Sequence, residues 1–167
     1  AGTPAQAVAL LDGPAKKDAR AAGLLGRAYE QAGRAAPAEA AYRASLTLAP
    51  DRCAPRVALG DLLVGAGKAD AAARSYRAAL AADPGCGAAH FSLGLLRHRA
   101  GAGEEALQHY ARAAERIPGN PDVHYYRGLA LATLDQLEPA VVSFEQALAI
   151  APQHYDASRN AGVALLK

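Results

Sequence analysis

The chain has 167 residues, of which 51% are hydrophobic and 20% charged, and its formal net charge at pH 7 is +2. It is too apolar and too nearly neutral for a disordered chain, and its balanced, scattered basic residues give no indication of nucleic-acid binding. No run reaches about 18 apolar residues, so we expect no membrane insertion. Alanine accounts for 45 residues, against seven Val, two Ile and three Thr. Because alanine is the best helix former, the composition predicts an all-α protein.

The sequence repeats itself every 34 residues, which is typical of a helical repeat protein. Four kinds of residue recur at this spacing, and we call each recurrence a ladder. The glycine ladder is Gly26, Gly60, Gly94, Gly128 and Gly162; the proline ladder is Pro50, Pro84, Pro118 and Pro152; the alanine ladder is Ala38, Ala72, Ala106 and Ala140; and the ring ladder is Tyr42, Tyr76, Tyr110 and Phe144.

Each full repeat is predicted to hold two helices joined by a short turn. Thr3–Leu11 is predicted as a lone second helix before the first full repeat. In the second repeat, a helix over Ala54–Ala66 is followed by a turn at Gly67, and the next helix ends at Pro84. Tyr155–Lys167 is predicted as a lone first helix. The predicted segments are a partial helix or cap (1–18), four repeats (19–52, 53–86, 87–120, 121–154) and a capping or partial helix (155–167).

The ladders predict how the helices pack. A glycine inside a helix costs about 1 kcal/mol relative to alanine, so its recurrence predicts that the backbone of a neighbouring helix comes close there. The alanines supply a small surface for the same contact. The rings are expected to fill the gap between successive helix pairs.

These positions resemble the tetratricopeptide repeat (TPR) signature over about residues 19–154. The chain departs from it at Arg127, where the other repeats have Leu, and at Asp135, where they have Gly. The family's early Trp is absent from every repeat. The resemblance implies a right-handed α-solenoid of antiparallel helix pairs, whose first helices line a concave groove that holds an extended or helical segment of a partner protein. The matching residues are Leu25, Gly26, Tyr29, Gly33, Ala38, Tyr42 and Pro50 in the first repeat, with their counterparts in the other three.

The groove positions implied by the resemblance are most apolar in the third and fourth repeats. An apolar, aromatic face that the core does not need is typical of a binding site. The alternative is that Phe91 and one of the two adjacent tyrosines simply pack between neighbouring first helices. Chaperone-binding TPRs clamp a terminal carboxylate with basic and Asn side chains, and that clamp is absent here. The predicted partner-binding residues are Val57, Phe91, Leu95, His98, Arg99, Tyr125, Tyr126 and Leu129.

No catalytic arrangement, cofactor site or metal site is predicted. His90 and His124 recur one repeat apart, and the repeat rise separates them too widely to share a metal ion. Cys53 and Cys86 also stand about one repeat apart, and we expect no disulfide between them because their Cα atoms would have to lie within about 7 Å.

The sequence therefore predicts a non-enzymatic protein-interaction module that binds a protein or peptide segment. Two alternatives stay open. One is a self-assembling scaffold, a homo-oligomer joined through exposed ends, and the other is the docking arm of a larger enzyme or of a secretion or assembly component. The absence of an initiator Met predicts that the chain is a fragment. Its alanine and arginine richness is typical of a GC-rich bacterial genome. The sequence leaves the compartment open between the cytoplasm, which is slightly favoured, and the periplasm, if the parent chain carries a signal peptide.

Overall fold

The computed structural model describes residues 3–166, so Ala1, Gly2 and Lys167 of the predicted end segments lie outside the described residues. The described range contains helices and no strand, which confirms the predicted all-α class. No helix within it is long and apolar enough to cross a membrane. The helices are α1 (Pro4–Leu11), a 3-10 helix (Pro14–Lys16), α2 (Ala19–Gln31), α3 (Ala35–Leu48), α4 (Cys53–Gly65), α5 (Ala69–Ala82), α6 (Gly87–Arg99), α7 (Gly103–Arg116), α8 (Pro121–Thr133), α9 (Leu137–Ile150) and α10 (Tyr155–Leu165).

The helices form two compact units, residues 1–84 and 85–167. In the first unit, α2 packs on α3, α4 packs on α5, and α3 also contacts α4. The helix α1 and the 3-10 helix lie against α2, where Val8 and Leu11 pack on a small cluster that includes Leu25. The start of α1 is fixed by a capping box, in which Thr3 and Gln6 exchange side-chain and backbone hydrogen bonds.

The second unit has the same plan. Here α6 packs on α7, α8 packs on α9, and α7 contacts α8. The final helix α10 lies against α9 and also touches α8. Two buried clusters hold this unit together, one around Tyr110 and the other around Phe144.

Each predicted turn between a first and a second helix is present. The first three turns place a glycine in the left-handed backbone region, with φ of 70° at Gly33, 73° at Gly67 and 77° at Gly101. The fourth turn places Asp135 there, with φ of 58°, and the following N–H, of Gln136, donates to the carbonyl of Leu131 at 3.0 Å. The departure from glycine at Asp135 therefore leaves the turn geometry unchanged, because Asp is one of the few residues that tolerate this region.

The predicted role of the glycine ladder is wrong in one respect. A Cβ atom on Gly94 would lie 2.6 Å from the ring of Tyr110, and one on Gly128 would lie 2.5 Å from the ring of Phe144. The glycine therefore makes room for the aromatic ring of its own repeat's second helix and not for a neighbouring backbone. Each ring therefore fills space inside its own helix pair. The rings of Tyr110 and Phe144 also contact the next repeat, at Tyr126 and at Ala157 and Ala161 respectively. At Gly162, a Cβ atom would meet nothing within 4 Å.

Candidate protein-binding surface

Five of the eight predicted groove residues form one surface on the second unit, which we call the aromatic surface. Phe91 and Leu95 project from α6, and Tyr125, Tyr126 and Leu129 project from α8. All five are partly buried. Phe91 and Leu95 are four residues apart on α6, and Leu129 stands three and four residues after Tyr126 and Tyr125 on α8, the spacings that bring side chains to neighbouring positions on a helix.

The rings of the aromatic surface form a continuous row. The ring centroids of Phe91 and Tyr126 are 5.8 Å apart, and those of Tyr126 and Tyr125 are 5.2 Å apart, both in edge-on geometry. The row continues to His154, whose ring centroid lies 4.6 Å from that of Tyr125. His154 was not among the predicted residues. His154 caps α10, where its Nδ1 accepts from the N–H of Ala157. Its position directly before the predicted last helix is the sequence signal that could have indicated it.

The aromatic surface rests on two buried rings of the ring ladder. Tyr110 lies 6.0 Å from Phe91 and 6.4 Å from Tyr126, centroid to centroid. Phe144 lies 6.0 Å from Tyr125. Tyr110 and Phe144 are 0% and 1% exposed, so the surface is supported from below by residues that have little freedom to move.

The hydroxyl of Tyr125 has a polar partner at the edge of the surface. The side-chain amide of Asn160 donates to it at 3.3 Å. Burial and then the nearby Asp156 carboxylate raise the pKa of Tyr125 above its usual value. The hydroxyl therefore keeps its proton at neutral pH and can donate it to an acceptor.

The ring ladder differs from repeat to repeat in how its hydroxyls are paired. The hydroxyl of Tyr42 donates to Glu30 at 2.7 Å, and that of Tyr76 donates to Asp61 at 2.6 Å. The hydroxyl of Tyr110 is buried and has no hydrogen-bond partner among the described residues. Its pKa is raised, first by burial and then by Tyr126.

Sequence position explains the difference. Glu30 stands 12 residues before its tyrosine, and Asp61 stands 15 residues before its own. The residues at those distances from Tyr110 are His98 and Leu95. Neither supplies a carboxylate, so the third hydroxyl loses the partner that the first two have.

The unpaired hydroxyl leads to a stability prediction. We expect Tyr110→Phe to stabilise the chain by about 1 kcal/mol, because it removes a buried donor that makes no hydrogen bond. Tyr42→Phe is the matched control, and it should destabilise the chain by about 1 kcal/mol through loss of its hydrogen bond to Glu30. Urea unfolding followed by circular dichroism measures both variants. A loss of stability in Tyr110→Phe equal to that in Tyr42→Phe would contradict the conclusion that the Tyr110 hydroxyl makes no hydrogen bond.

The other predicted residues are more scattered. His98 is partly buried and Arg99 is exposed, and both lie in the last turn of α6, where positive charge is favoured at a helix C-terminus. Arg99 also acts on the hydroxyl of Tyr110, where its charge opposes the rise in pKa. Val57 lies on α4 in the first unit and is 7% exposed, so it contributes to packing and is not part of the aromatic surface.

The histidines singled out in the sequence are engaged in local contacts. His124 is buried, with Nδ1 3.1 Å from the side-chain oxygen of Gln146 and Nε2 3.0 Å from the carbonyl of Pro118. The Nδ1 atoms of His90 and His109 are 3.2 Å apart. Within residues 3–166, no group of three or more His, Cys, Asp or Glu side chains is arranged to hold a metal ion.

The prediction about the cysteines is wrong. Neither Cys53 nor Cys86 is a free thiol, since both are in the disulfide-bonded state. The Sγ atom of Cys86 also accepts from the N–H of Ala89 at 3.3 Å and so caps α6.

Comparison with known proteins identifies the family. Two tetratricopeptide repeat profiles match the chain, one over residues 57–121 and the other over residues 19–52 and 121–154. The chain therefore belongs to the tetratricopeptide repeat family, and it is a protein-interaction module of that family. No match was found among curated protein sequences.

Solved TPR structures share the fold. A thermophilic TPR protein of Thermus thermophilus matches with a TM-score of 0.75 at 20% identity and covers 96% of this chain and 89% of its own. The Pseudomonas aeruginosa pilF structure matches with a TM-score of 0.81 at 23% identity, over 89% of this chain and 68% of its own. YrrB, described as a TPR protein with an unusual peptide-binding site, matches with a TM-score of 0.65 at 24% identity, over 84% of this chain and 73% of its own. At these identities the likeness shows the TPR solenoid fold alone.

Proposed function

We propose that the aromatic surface binds an extended or helical segment of a partner protein. The observation that supports this most directly is the contrast between two layers of rings. Tyr110 and Phe144 below are almost fully buried, whereas Phe91, Tyr125 and Tyr126 above them keep part of their surface open to solvent. Rigid, partly exposed aromatic side chains are the residues that contribute most to binding at protein interfaces.

The chemistry of the surface favours a segment with apolar side chains and a polar backbone. The rings and the side chains of Leu95 and Leu129 would cover apolar groups of the partner. The hydroxyl of Tyr125 would donate to a backbone carbonyl, and Arg99 at the flank would pair with an acidic group. The peptide-binding site named for YrrB is consistent with this use of the fold. Because TPRs generally act as non-catalytic scaffolds, we infer binding and no catalysis for this chain.

The test uses peptides selected from a random-peptide phage library on the intact chain. We expect the double variant Tyr125→Ala, Tyr126→Ala to weaken binding of the selected peptides by roughly 30-fold or more, since two central aromatic side chains are lost. Fluorescence anisotropy with labelled peptides measures the affinity, and circular dichroism checks that the helices persist. Tyr155→Ala is the matched control, because Tyr155 is 82% exposed and lies outside the surface.

A second variant guards against loss of structure. Leu95→Glu adds a charge to the aromatic surface without removing a ring, and it should also weaken binding. Unchanged affinity in both variants would refute the proposal.

A second candidate is self-association through α10. This helix and the residue after it expose Val163, Leu165 and Leu166, which are 51%, 70% and 90% accessible. Light scattering on the same samples at two protein concentrations separates the candidates. A mass that rises with concentration would favour the scaffold, and a constant monomer mass would remove it. Attachment to a larger enzyme or secretion component would leave the proposed surface unchanged.

A further inference from the structure

A cavity of about 260 Å³ lies in the first unit, and none of its lining residues belongs to the aromatic surface. Its walls come from α2, from the start of α4 and from the ring of the buried Tyr42. Three arginines lie around apolar and small side chains, and no acidic residue is among the described residues that line the cavity. The lining residues are Arg20, Gly23, Leu24, Arg27, Tyr42, Arg52, Ala54, Pro55 and Ala58.

The three arginines converge because of their positions on the helices. Arg20 and Arg27 are seven residues apart on α2, about two turns, and so project from the same side. Arg52 is the residue just before α4. Among residues 3–166, none of the three takes part in an ion pair with a carboxylate. Three guanidinium groups thus surround one cavity, and their charges favour an anionic occupant.

The carboxylates near the cavity are already engaged in the fold. Asp18 caps α2, where one of its oxygens accepts from the N–H groups of Arg20 and Ala21 at 2.6 and 3.0 Å. These two hydrogen bonds, and then the charges of Arg52 and Arg20, hold the pKa of Asp18 below its usual value. Glu30 accepts from the hydroxyl of Tyr42 at 2.7 Å. Asp18 therefore offsets part of the charge of Arg52 and Arg20. Because no carboxylate among residues 3–166 forms an ion pair with any of the three arginines, the rest of their charge stays available to an occupant.

The apolar part of the cavity restricts the occupant further. Leu24 is 44% exposed, although it lies at the centre of α2 between the two arginines. Pro55 is buried, and Ala54 and Ala58 continue its wall along α4. The volume is below the range of about 300–1,000 Å³ typical of small-molecule sites. It fits one or two side chains of a peptide, an acidic one on the arginines and an aliphatic one on Leu24 and Pro55.

The geometry points to a second peptide-binding site, in which Arg20, Arg27 and Arg52 hold an Asp or Glu side chain of a partner segment whose neighbouring aliphatic side chain packs on Leu24. This inference rests on the proposed function in that the occupant is again a segment of a partner protein. It adds the chemistry of that segment: an acidic residue next to an aliphatic one. Arginine suits this role because its planar group binds a carboxylate through two parallel hydrogen bonds.

The experiment uses the peptides selected from the phage library on the intact chain, made synthetically and labelled. We expect them to be enriched in Asp or Glu next to Leu, Ile or Val. Arg27→Gln should weaken their binding by at least roughly fivefold, and replacing the peptide's acidic residue by its amide should produce a similar loss. Arg74→Gln is the matched control, because Arg74 is an exposed arginine of the same unit, on α5, and does not line the cavity. Its affinity should equal that of the parent chain.

The outcomes separate this inference from the proposed function. Peptides that lose affinity in the Tyr125→Ala, Tyr126→Ala variant but keep it in Arg27→Gln would overturn the arginine site and leave the aromatic surface standing. Peptides that depend on Arg27 alone would support the arginine site and refute the aromatic surface. Complete displacement of the peptides by inorganic phosphate at moderate ionic strength would overturn the peptide assignment in favour of a simple anion site. A selection that yields no peptide would refute both.

Discussion

Replacing Gly94 by valine is expected to destabilise the chain by about 2–3 kcal/mol, the cost of forcing extra carbon atoms into a packed interior. The first added atom, Cβ, would lie 2.6 Å from Cε1 and 2.7 Å from Cδ1 of Tyr110. The ring cannot retreat easily, because Tyr110 is 0% exposed and contacts Phe91 and Tyr126 on its other side. The apparent melting temperature should fall by roughly 5–10 °C.

Gly162→Val is the matched control for Gly94→Val. Both glycines belong to the same ladder, and both lie within a first helix, α6 and α10. A Cβ atom at Gly162 meets nothing within 4 Å, so valine there should leave stability unchanged or raise it slightly, since glycine is the poorer helix former. Thermal unfolding by circular dichroism measures the pair. Equal losses at the two sites would show that helix propensity, and not contact with the ring, explains the ladder.

The second large effect is expected for Phe144→Ala, at about 3–5 kcal/mol. Phe144 is 1% exposed and occupies the centre of the cluster formed by Leu131, Ala140, Ala147, Ala157 and Ala161. Most of the buried members of this cluster are alanines, which cannot extend into the space that the ring would leave. The cavity would therefore remain largely unfilled, which is the condition for a cost at the upper end of this range. Urea unfolding measures the loss.

Gly128, which lies against the ring of Phe144, allows a direct test of the contact between the two residues. In the parent chain, Gly128→Ala should be destabilising, because its Cβ atom would lie 2.5 Å from the Phe144 ring. Once the ring is removed in Phe144→Ala, the same substitution should become stabilising by up to about 1 kcal/mol through helix propensity. The double-mutant cycle should therefore show an interaction energy of about 2 kcal/mol. Additive effects would contradict direct contact between the two residues.

Much of the candidate site could be predicted from the sequence, but not how its residues pack. The 34-residue period pairs Phe91 with Tyr125 and Leu95 with Leu129 on successive first helices, Tyr126 stands beside Tyr125, and the structure brings these five together. Their partial burial depends on the side chains beneath them, which a period does not specify.

The arginine cavity, in contrast, could be predicted from the sequence only in part. Arg20 and Arg27 carry a sequence signal, their separation by seven residues on one helix. Arg52 stands outside any ladder, and only the path of the chain between α3 and α4 brings it to the same cavity. Leu24 lies among these arginines, so its exposed side chain is part of a candidate binding site. The hydropathy of the sequence alone does not indicate this role.

The sequence by itself determined the helical class, the pairing of helices and the turns, because helix propensity, left-handed glycines and helix-ending prolines act within a few residues. Only the tertiary structure decided what each glycine faces. Gly94 and Gly162 are identical in the ladder, yet the first lies against a ring and the second against open space. The same holds for the hydroxyl of Tyr110, which is buried without a partner among the described residues while that of Tyr42 is paired. Such differences depend on which atoms of distant residues meet, and a local pattern does not contain that information.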